Sequence, residues 1–338
     1  MPLGKLVLGA SNNTLQELLV TLGTNNLNET KLHFKYVINQ LLRMANVTIN
    51  IYSVIYVNDK YEIQNKFTDD AIEIFGAGVG SLNFSDPAKA AKIINKWVSK
   101  QTNDTIHKVI KESALTPDAK IVLVNAVYFS GQWRFPFEKT QKEVFYAQGG
   151  PQQVNMMLTV ADFFYYESKF LKAQVIQLPY LCYEGMTMII FLPISNSSEA
   201  LEVLLETING APAVLDSVLK SMKIHRVHVS LPRFKIYTNF NLGEQYEKVG
   251  LKSLFHEGLN KMVKDKDIFV SKAVQTAVIQ VNENGTMAAS ASTTVNMISN
   301  DEDVPPVAKF IANHPFHFIV LARNEQLFSG VLNNIRQE

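Results

Sequence analysis

Over residues 14–22 and 31–44 apolar side chains recur every three or four positions, and from Val47 to Val57 they alternate with polar ones. The first spacing predicts helices over 14–22 and 31–44 and the second a strand, so the chain is expected to open helix, helix, strand. Asp86-Pro87 marks another helix start. Ala91, Ile94, Trp97 and Val98 then line one face of an amphipathic helix over 88–99, whose other face holds Lys89, Lys92, Lys96 and Lys100. Residues 121–129 and 186–192 are nearly unbroken apolar runs, the form a strand takes when both faces are covered, and are expected at the centre of a sheet. Residues 227–231 alternate ahead of Pro232, 240–249 have helical spacing, 274–281 alternate again, and 315–321 with 327–332 read as a closing hairpin.

The pattern breaks between Glu283 and Ala308. That stretch has no aromatic residue, is rich in Ala, Ser, Thr and Asn, and ends in Asp301-Glu302-Asp303 and Pro305-Pro306. Loops longer than about 15 residues are uncommon in compact proteins and are mostly functional or disordered. In an extended strand Thr286, Ala288, Ser290, Ser292 and Thr294 would share one face, small enough to slide over a packed interior. Gly285 supplies a freely rotating pivot directly after the strand 274–281. A plain Ala/Ser linker is the competing reading of the same composition.

Composition narrows the function. The chain has 338 residues, 47% hydrophobic and 19% charged, a globular balance. No linker separates two blocks, so one mixed α+β domain over 1–338 is expected. With 32 basic and 31 acidic residues the net charge is +1, and no nucleic-acid partner is expected. The start of the sequence carries neither a signal-peptide pattern nor a span-length apolar run, so no membrane association is expected. The single cysteine, Cys182, lies in an apolar run and reads as structural. Asn12, Asn28, Asn46, Asn83, Asn103, Asn196 and Asn284 begin glycosylation sequons, a set that chance can supply in an Asn-rich chain.

The sequence contains no Gly-x-Gly-x-x-Gly, Walker loop, Gly-x-Ser-x-Gly or His-Glu-x-x-His, and its seven histidines are scattered. No enzyme activity, metal or cofactor is expected. The four lysines of helix 88–99 have the spacing of a sulfated-polysaccharide site, but a solvated helix face is the commoner cause, so no glycosaminoglycan partner is expected.

Several motifs then fall into one order. Glu283-Asn284-Gly285-Thr286-Met287-Ala288-Ala289-Ser290-Ala291-Ser292 resembles the hinge signature of the serpin family, Glu-x-Gly-Thr-Glu-Ala-Ala followed by small residues. Asn125-Ala126-Val127-Tyr128-Phe129-Ser130-Gly131-Gln132-Trp133 resembles that family's central-strand motif, continued by Phe137 and Thr140. Asn95-Lys96-Trp97-Val98 with Thr102 and Ile106, Leu178-Pro179-Tyr180, Phe191-Leu192-Pro193, Leu231-Pro232-Arg233-Phe234-Lys235, Asn313-His314-Pro315-Phe316-His317-Phe318 and Phe328-Ser329-Gly330 follow in the family's order. The resemblance covers essentially the whole chain.

It implies a serpin fold: a large central, mainly antiparallel sheet, surrounding helices and an exposed reactive-centre loop over about 283–308. Met1-Pro2 aligns with the start of the family's second helix, so the first helix has no counterpart in the sequence. The implied activity is protease inhibition as a suicide substrate, the loop inserting as a new sheet strand after attack, behaviour for which serpins are the standing example. The native state is then metastable, the molecule a monomer, and its partner a target protease. The family favours an extracellular location.

The resemblance also assigns residues. Glu283, Gly285, Thr286, Ala288, Ala289, Ser290, Ala291 and Ser292 form the hinge. Arg233 pairs with Glu283 as a latch, and Asn125, Trp133 and Gln275 belong to the sheet-opening region, with Gln275 where many members carry histidine. Met287 replaces the family's usual Glu on the outward face. A glycan on Asn284 would obstruct insertion, so that sequon is expected to be unused.

Counting from Gly285 by the family's interval places the reactive bond at Ser299–Asn300. Counting back from Pro315 gives Val304–Pro305, which makes the loop five residues longer than usual. The hinge-side count is preferred, because insertion is measured from the hinge and bonds before proline are poorly cleaved. Cleavage after Met297 or Ile298 is the further alternative. A loop without Lys or Arg argues against a trypsin-like target. Chymotrypsin- or elastase-like serine proteases and papain-like cysteine proteases fit equally. A non-inhibitory serpin with a carrier, storage or chaperone role is the alternative function.

Overall fold

The computed structural model describes residues 2–42, 44, 46–102, 104–182, 185–264, 267–285, 307–323 and 325–335. In chain order the elements are α1 (Pro2–Gly9), α2 (Asn12–Leu22), α3 (Leu27–Leu42), β1 (Val47–Asn58), α4 (Asn65–Phe75), β2 (Gly78–Leu82), α5 (Pro87–Gln101), β3 (Ile121–Gly131), β4 (Lys139–Ala147), β5 (Gly150–Ser168), β6 (Ala173–Pro179) and β7 (Met186–Pro193). They continue with α6 (Ser198–Gly210), α7 (Pro212–Ser221), β8 (Lys223–Pro232), β9 (Phe234–Asn241), α8 (Leu242–Lys248), β10 (Val270–Val281), β11 (Ala308–Ile311), β12 (Phe316–Ala322) and β13 (Glu325–Leu332).

Two sheets organise these strands. One has five strands in the order β2-β1-β3-β10-β9, and the other has eight, in the order β11-β8-β5-β6-β7-β12-β13 with β4 added on β5. The apolar runs 121–129 and 186–192 therefore do not share a sheet. Each is covered on both faces, which is all that an unbroken apolar run encodes; it carries no information on which strand lies beside it. The chain also opens with α1 ahead of the two expected helices, and Phe240 and Asn241 end β9 instead of starting α8.

By internal packing the chain forms two compact units. The first comprises Met1–Arg43, Ile49–Phe129 and Tyr237–Val278. In it β3 shows why its sequence is so apolar: Ile121 and Leu123 join one buried cluster with Leu6, Phe67 and Leu254, while Val122, Val124 and Ala126 join another. Alternate side chains enter two different cores, so neither face of the strand can be polar. The second cluster also takes Ala90, Ala91, Ile94 and Val98 of α5, which packs that helix onto the sheet. Asp86 caps α5 by accepting a hydrogen bond from the Lys89 amide at 3.0 Å, and Pro87 follows, where its missing N–H costs nothing.

The second unit comprises Met44–Thr48, Ser130–Ile236 and Ile279–Glu338. β12 and β13 form the expected hairpin, with Phe316 opposite Leu332, and β12 also pairs with β7. α6 and α7 cover this sheet through Leu201, Leu204, Ile208 and Val218, packed with Ile189, Phe191 and Ile319. Ser197 caps α6 through the Ala200 amide.

Candidate functional site around Glu283

β10 ends at Val281 and the chain turns back at once. The Asn282 amide donates to the Gly285 carbonyl and the Gly285 amide to the Asn282 carbonyl, each at 3.1 Å, leaving Glu283 and Asn284 at the tip. Gly285 has φ +106°, and a Cβ there would lie 1.9 Å from the Gly131 carbonyl oxygen. Both facts require glycine: the backbone angle disfavours L side chains, and two backbones meet with no room between them.

The turn is held by the segment that follows β3. The Trp133 amide donates to the Asn284 carbonyl at 3.1 Å and the Phe137 amide to the Glu283 carbonyl at 2.9 Å. The Trp133 indole Nε1 donates to the Asn282 carbonyl at 3.0 Å. Trp133 is buried and stacks on Tyr180, ring centroids 4.4 Å apart, with Phe137 edge-on to it. Gly131 allows this stack, since a Cβ there would be 2.8 Å from the Tyr180 ring.

The Glu283 carboxylate receives two hydrogen bonds on Oε1, one from Arg233 and one from Thr140 Oγ1, both at 2.5 Å. Arg233 directly follows β8, and Thr140 stands near the start of β4. Partial burial opposes ionisation of Glu283, and the hydrogen bonds from Thr140 and Arg233 more than offset it, so the carboxyl lies below its usual range.

In the first unit Asn125 Nδ2 donates to Gln275 Oε1 at 3.2 Å. Asn125 is buried, and its Oδ1 has no hydrogen-bond partner among the described residues.

The structure thus brings Glu283, Gly285, Trp133 and Arg233 together, and joins Asn125 to Gln275. Thr286, Ala288, Ala289, Ser290, Ala291 and Ser292 lie outside the described residues, as do Met297, Ile298, Ser299, Asn300 and Val304. Sequence reasoning did not assign Asn282, Thr140, Phe137 or Tyr180 to the site. Phe137, Thr140 and Tyr180 stood inside the serpin-like motifs, which was a usable signal; Asn282 contributes backbone bonds and a side-chain Oδ1 that accepts from the Asn284 amide at 3.2 Å, a local turn feature that many asparagines share.

No three or more His, Cys, Asp or Glu among the described residues are grouped as metal ligands. None of the described helices is long and apolar enough to cross a membrane.

The arrangement has counterparts. The family model Serpin (serine protease inhibitor) matches residues 1–335, and the chain belongs to that family. Among curated proteins it is similar to Antitrypsin of Bombyx mori, 29% identical over 98% of this chain and 85% of that one. It is also similar to Antichymotrypsin-2 of Bombyx mori, 29% identical over 98% and 88%. Among solved structures it matches Serpin48, a highly specific serpin in the insect Tenebrio molitor, with TM-score 0.85 and 26% identity over 99% of this chain and 90% of that one. Serpins are protease inhibitors and in general not catalysts.

Proposed function

We propose that this chain acts as one functional domain that inhibits proteases as a suicide substrate, by cleavage of the loop after Gly285 and insertion of its small-residue segment into the five-stranded sheet. The observation that carries the reading is positional. β3 and β10 are direct neighbours in that sheet, and the loop leaves from the end of β10 at a turn fastened to the segment that follows β3. A new strand starting at Gly285 enters between those two. Ala288, Ala289, Ser290, Ala291 and Ser292 are small enough to be buried there without overfilling the interior. Roughly ten new backbone hydrogen bonds at about 1 kcal/mol each would release on the order of 10 kcal/mol, enough to drag a covalently attached enzyme along.

Glu283 and Arg233 act in this reading as a latch of modest strength on the closed hinge. The reactive bond is assigned to Ser299–Asn300, with cleavage after Met297, Ile298 or Val304 as the alternatives. The target is a chymotrypsin- or elastase-like serine protease or a papain-like cysteine protease. The names Antitrypsin and Antichymotrypsin-2 point to different enzymes and do not decide it. The absence of Lys and Arg from Glu283 to Ala308 does weigh against a trypsin-like one. A carrier or storage role is disfavoured by the same small hinge residues, since bulky or proline residues there would be its mark.

Incubation with chymotrypsin and with papain, followed by denaturing electrophoresis and mass spectrometry, tests the proposal. The expected result is a covalent complex at the summed mass, or loss of protease activity with release of a peptide beginning near Asn300. Simple cleavage that leaves the protease fully active makes the chain a substrate and removes the proposal.

A further inference from the structure

An open groove of the first unit is not used by the loop-insertion reading. It holds about 890 Å³ and runs between α5 and the segment 107–113. Lys92 and Lys96 stand on the helix wall, Lys108 and Lys111 on the facing wall, and Ala91 and Ile110 contribute an apolar floor. All four lysines are exposed, and among the described residues none of them makes an ion pair. Glu112 is the acidic residue of the lining.

The facing wall is fixed in place before any ligand arrives. Asn95 of α5 donates from Nδ2 to the Ile110 carbonyl at 2.9 Å, and its Oδ1 accepts from the Val109 and Ile110 amides at 2.8 and 3.1 Å. Tyr237 donates its hydroxyl to the Lys108 carbonyl at 2.6 Å, and Asn239 Nδ2 donates to the Val109 carbonyl at 2.9 Å. Backbone anchored at three successive residues holds Lys108 and Lys111 opposite the helix, so little ordering entropy remains to be lost on binding.

Four cations facing one another across a groove, without an ion-pair partner among the described residues, repel each other and raise the local potential for anions. The lysines on α3 contrast with them: Lys31 and Lys35 are paired with Asp70 and Glu73. The helical spacing of Lys89, Lys92, Lys96 and Lys100 alone reads as a solvated face. The fold changes that by selecting Lys92 and Lys96 from the row and setting two further lysines against them.

We propose that this groove is a binding site for a compact ligand bearing several phosphate or sulfate groups, gripped from both walls by Lys92, Lys96, Lys108 and Lys111. Such a ligand clamps α5 to the segment leading into β3 and stabilises the first unit.

Calorimetric titration of the intact chain with inositol hexakisphosphate and, separately, with a sulfated hexasaccharide tests this and distinguishes the two sources of the anion by which binds tighter. Saturable one-to-one binding that weakens with added salt is expected, with a rise in melting temperature. Lys92→Gln with Lys96→Gln, and Lys108→Gln with Lys111→Gln, should each weaken it by about tenfold or more. Lys89→Gln with Lys100→Gln removes the same charge from the same helix outside the groove and should change it less than about threefold. No binding of either probe, or equal losses in all three variants, overturns the site. All substitutions are at exposed positions, and an unchanged melting temperature without ligand verifies that the variants are folded.

Discussion

Arg233 and Glu283 stand 50 positions apart in sequence and meet at 2.5 Å, so that one side chain following β8 holds the first turn after β10. The pair is partly exposed, with the arginine side chain 48% and the glutamate 20% accessible, and solvent screens it. Arg233→Ala is expected to lower stability by only about 0.2–1 kcal/mol. Because the folded Glu283 pKa is depressed from 4.5, its contribution is complete above that value and is lost as pH falls through the lowered one. Chemical denaturation of the wild type and of Glu283→Gln between pH 3 and pH 7 tests this. The gap between the two curves should close at the acid end.

Gly285→Ala places a methyl group against the Gly131 carbonyl in a backbone conformation that alanine resists. The turn must move, and with it the bonds from Trp133 and Phe137. A loss of about 1–3 kcal/mol is expected in equilibrium unfolding. Gly149→Ala is the control, because a Cβ there meets no atom closer than 3.6 Å.

Trp133→Phe keeps an aromatic ring against Tyr180 and removes the indole donor. The Asn282 carbonyl still accepts from the Gly285 amide, so it is not left unpaired. The cost should therefore lie near 1 kcal/mol, well short of the amount for a buried orphan group. Trp133→Ala also loses the stack and should cost about 3–5 kcal/mol, measured by the same denaturation.

Lys5 is 1% exposed within an apolar cluster, and burial lowers its pKa to about 7 from 10.5. The unfolded chain binds this proton across that interval and the folded chain does not, so stability should rise with pH between about 7 and 10.5 and be flat below. Lys5→Met should abolish that slope and stabilise the protein at pH 7 by on the order of 3 kcal/mol, read from melting curves across the range.

How much of this was legible in the sequence differs by element. Strands β1, β3, β7, β10 and the final hairpin stood out because alternation or a continuous apolar run is a local record of burial. β3 records even its two-sided burial, since odd and even residues enter separate clusters. The assignment of β3 and β7 to different sheets was not legible, because which strand lies beside another is set by distant segments. The length of α1 hid it too: eight residues, nearly all buried, show no polar face to give a period. At the site, Glu283, Arg233, Gly285 and Trp133 were nominated by motif, whereas the backbone bonds through Phe137 and Asn282 leave no residue-type signature. The lysine groove needed the fold, because Lys108 and Lys111 lie beyond the end of α5 and only the tertiary structure sets them against it.

The measurement that bears most directly on loop insertion is the melting temperature before and after a single cut in the loop, made by a protease that is then removed. If the freed strand enters between β3 and β10, about ten new hydrogen bonds should raise the melting temperature by on the order of 20 °C. An unchanged or lower melting temperature after clean cleavage near Asn300 contradicts insertion.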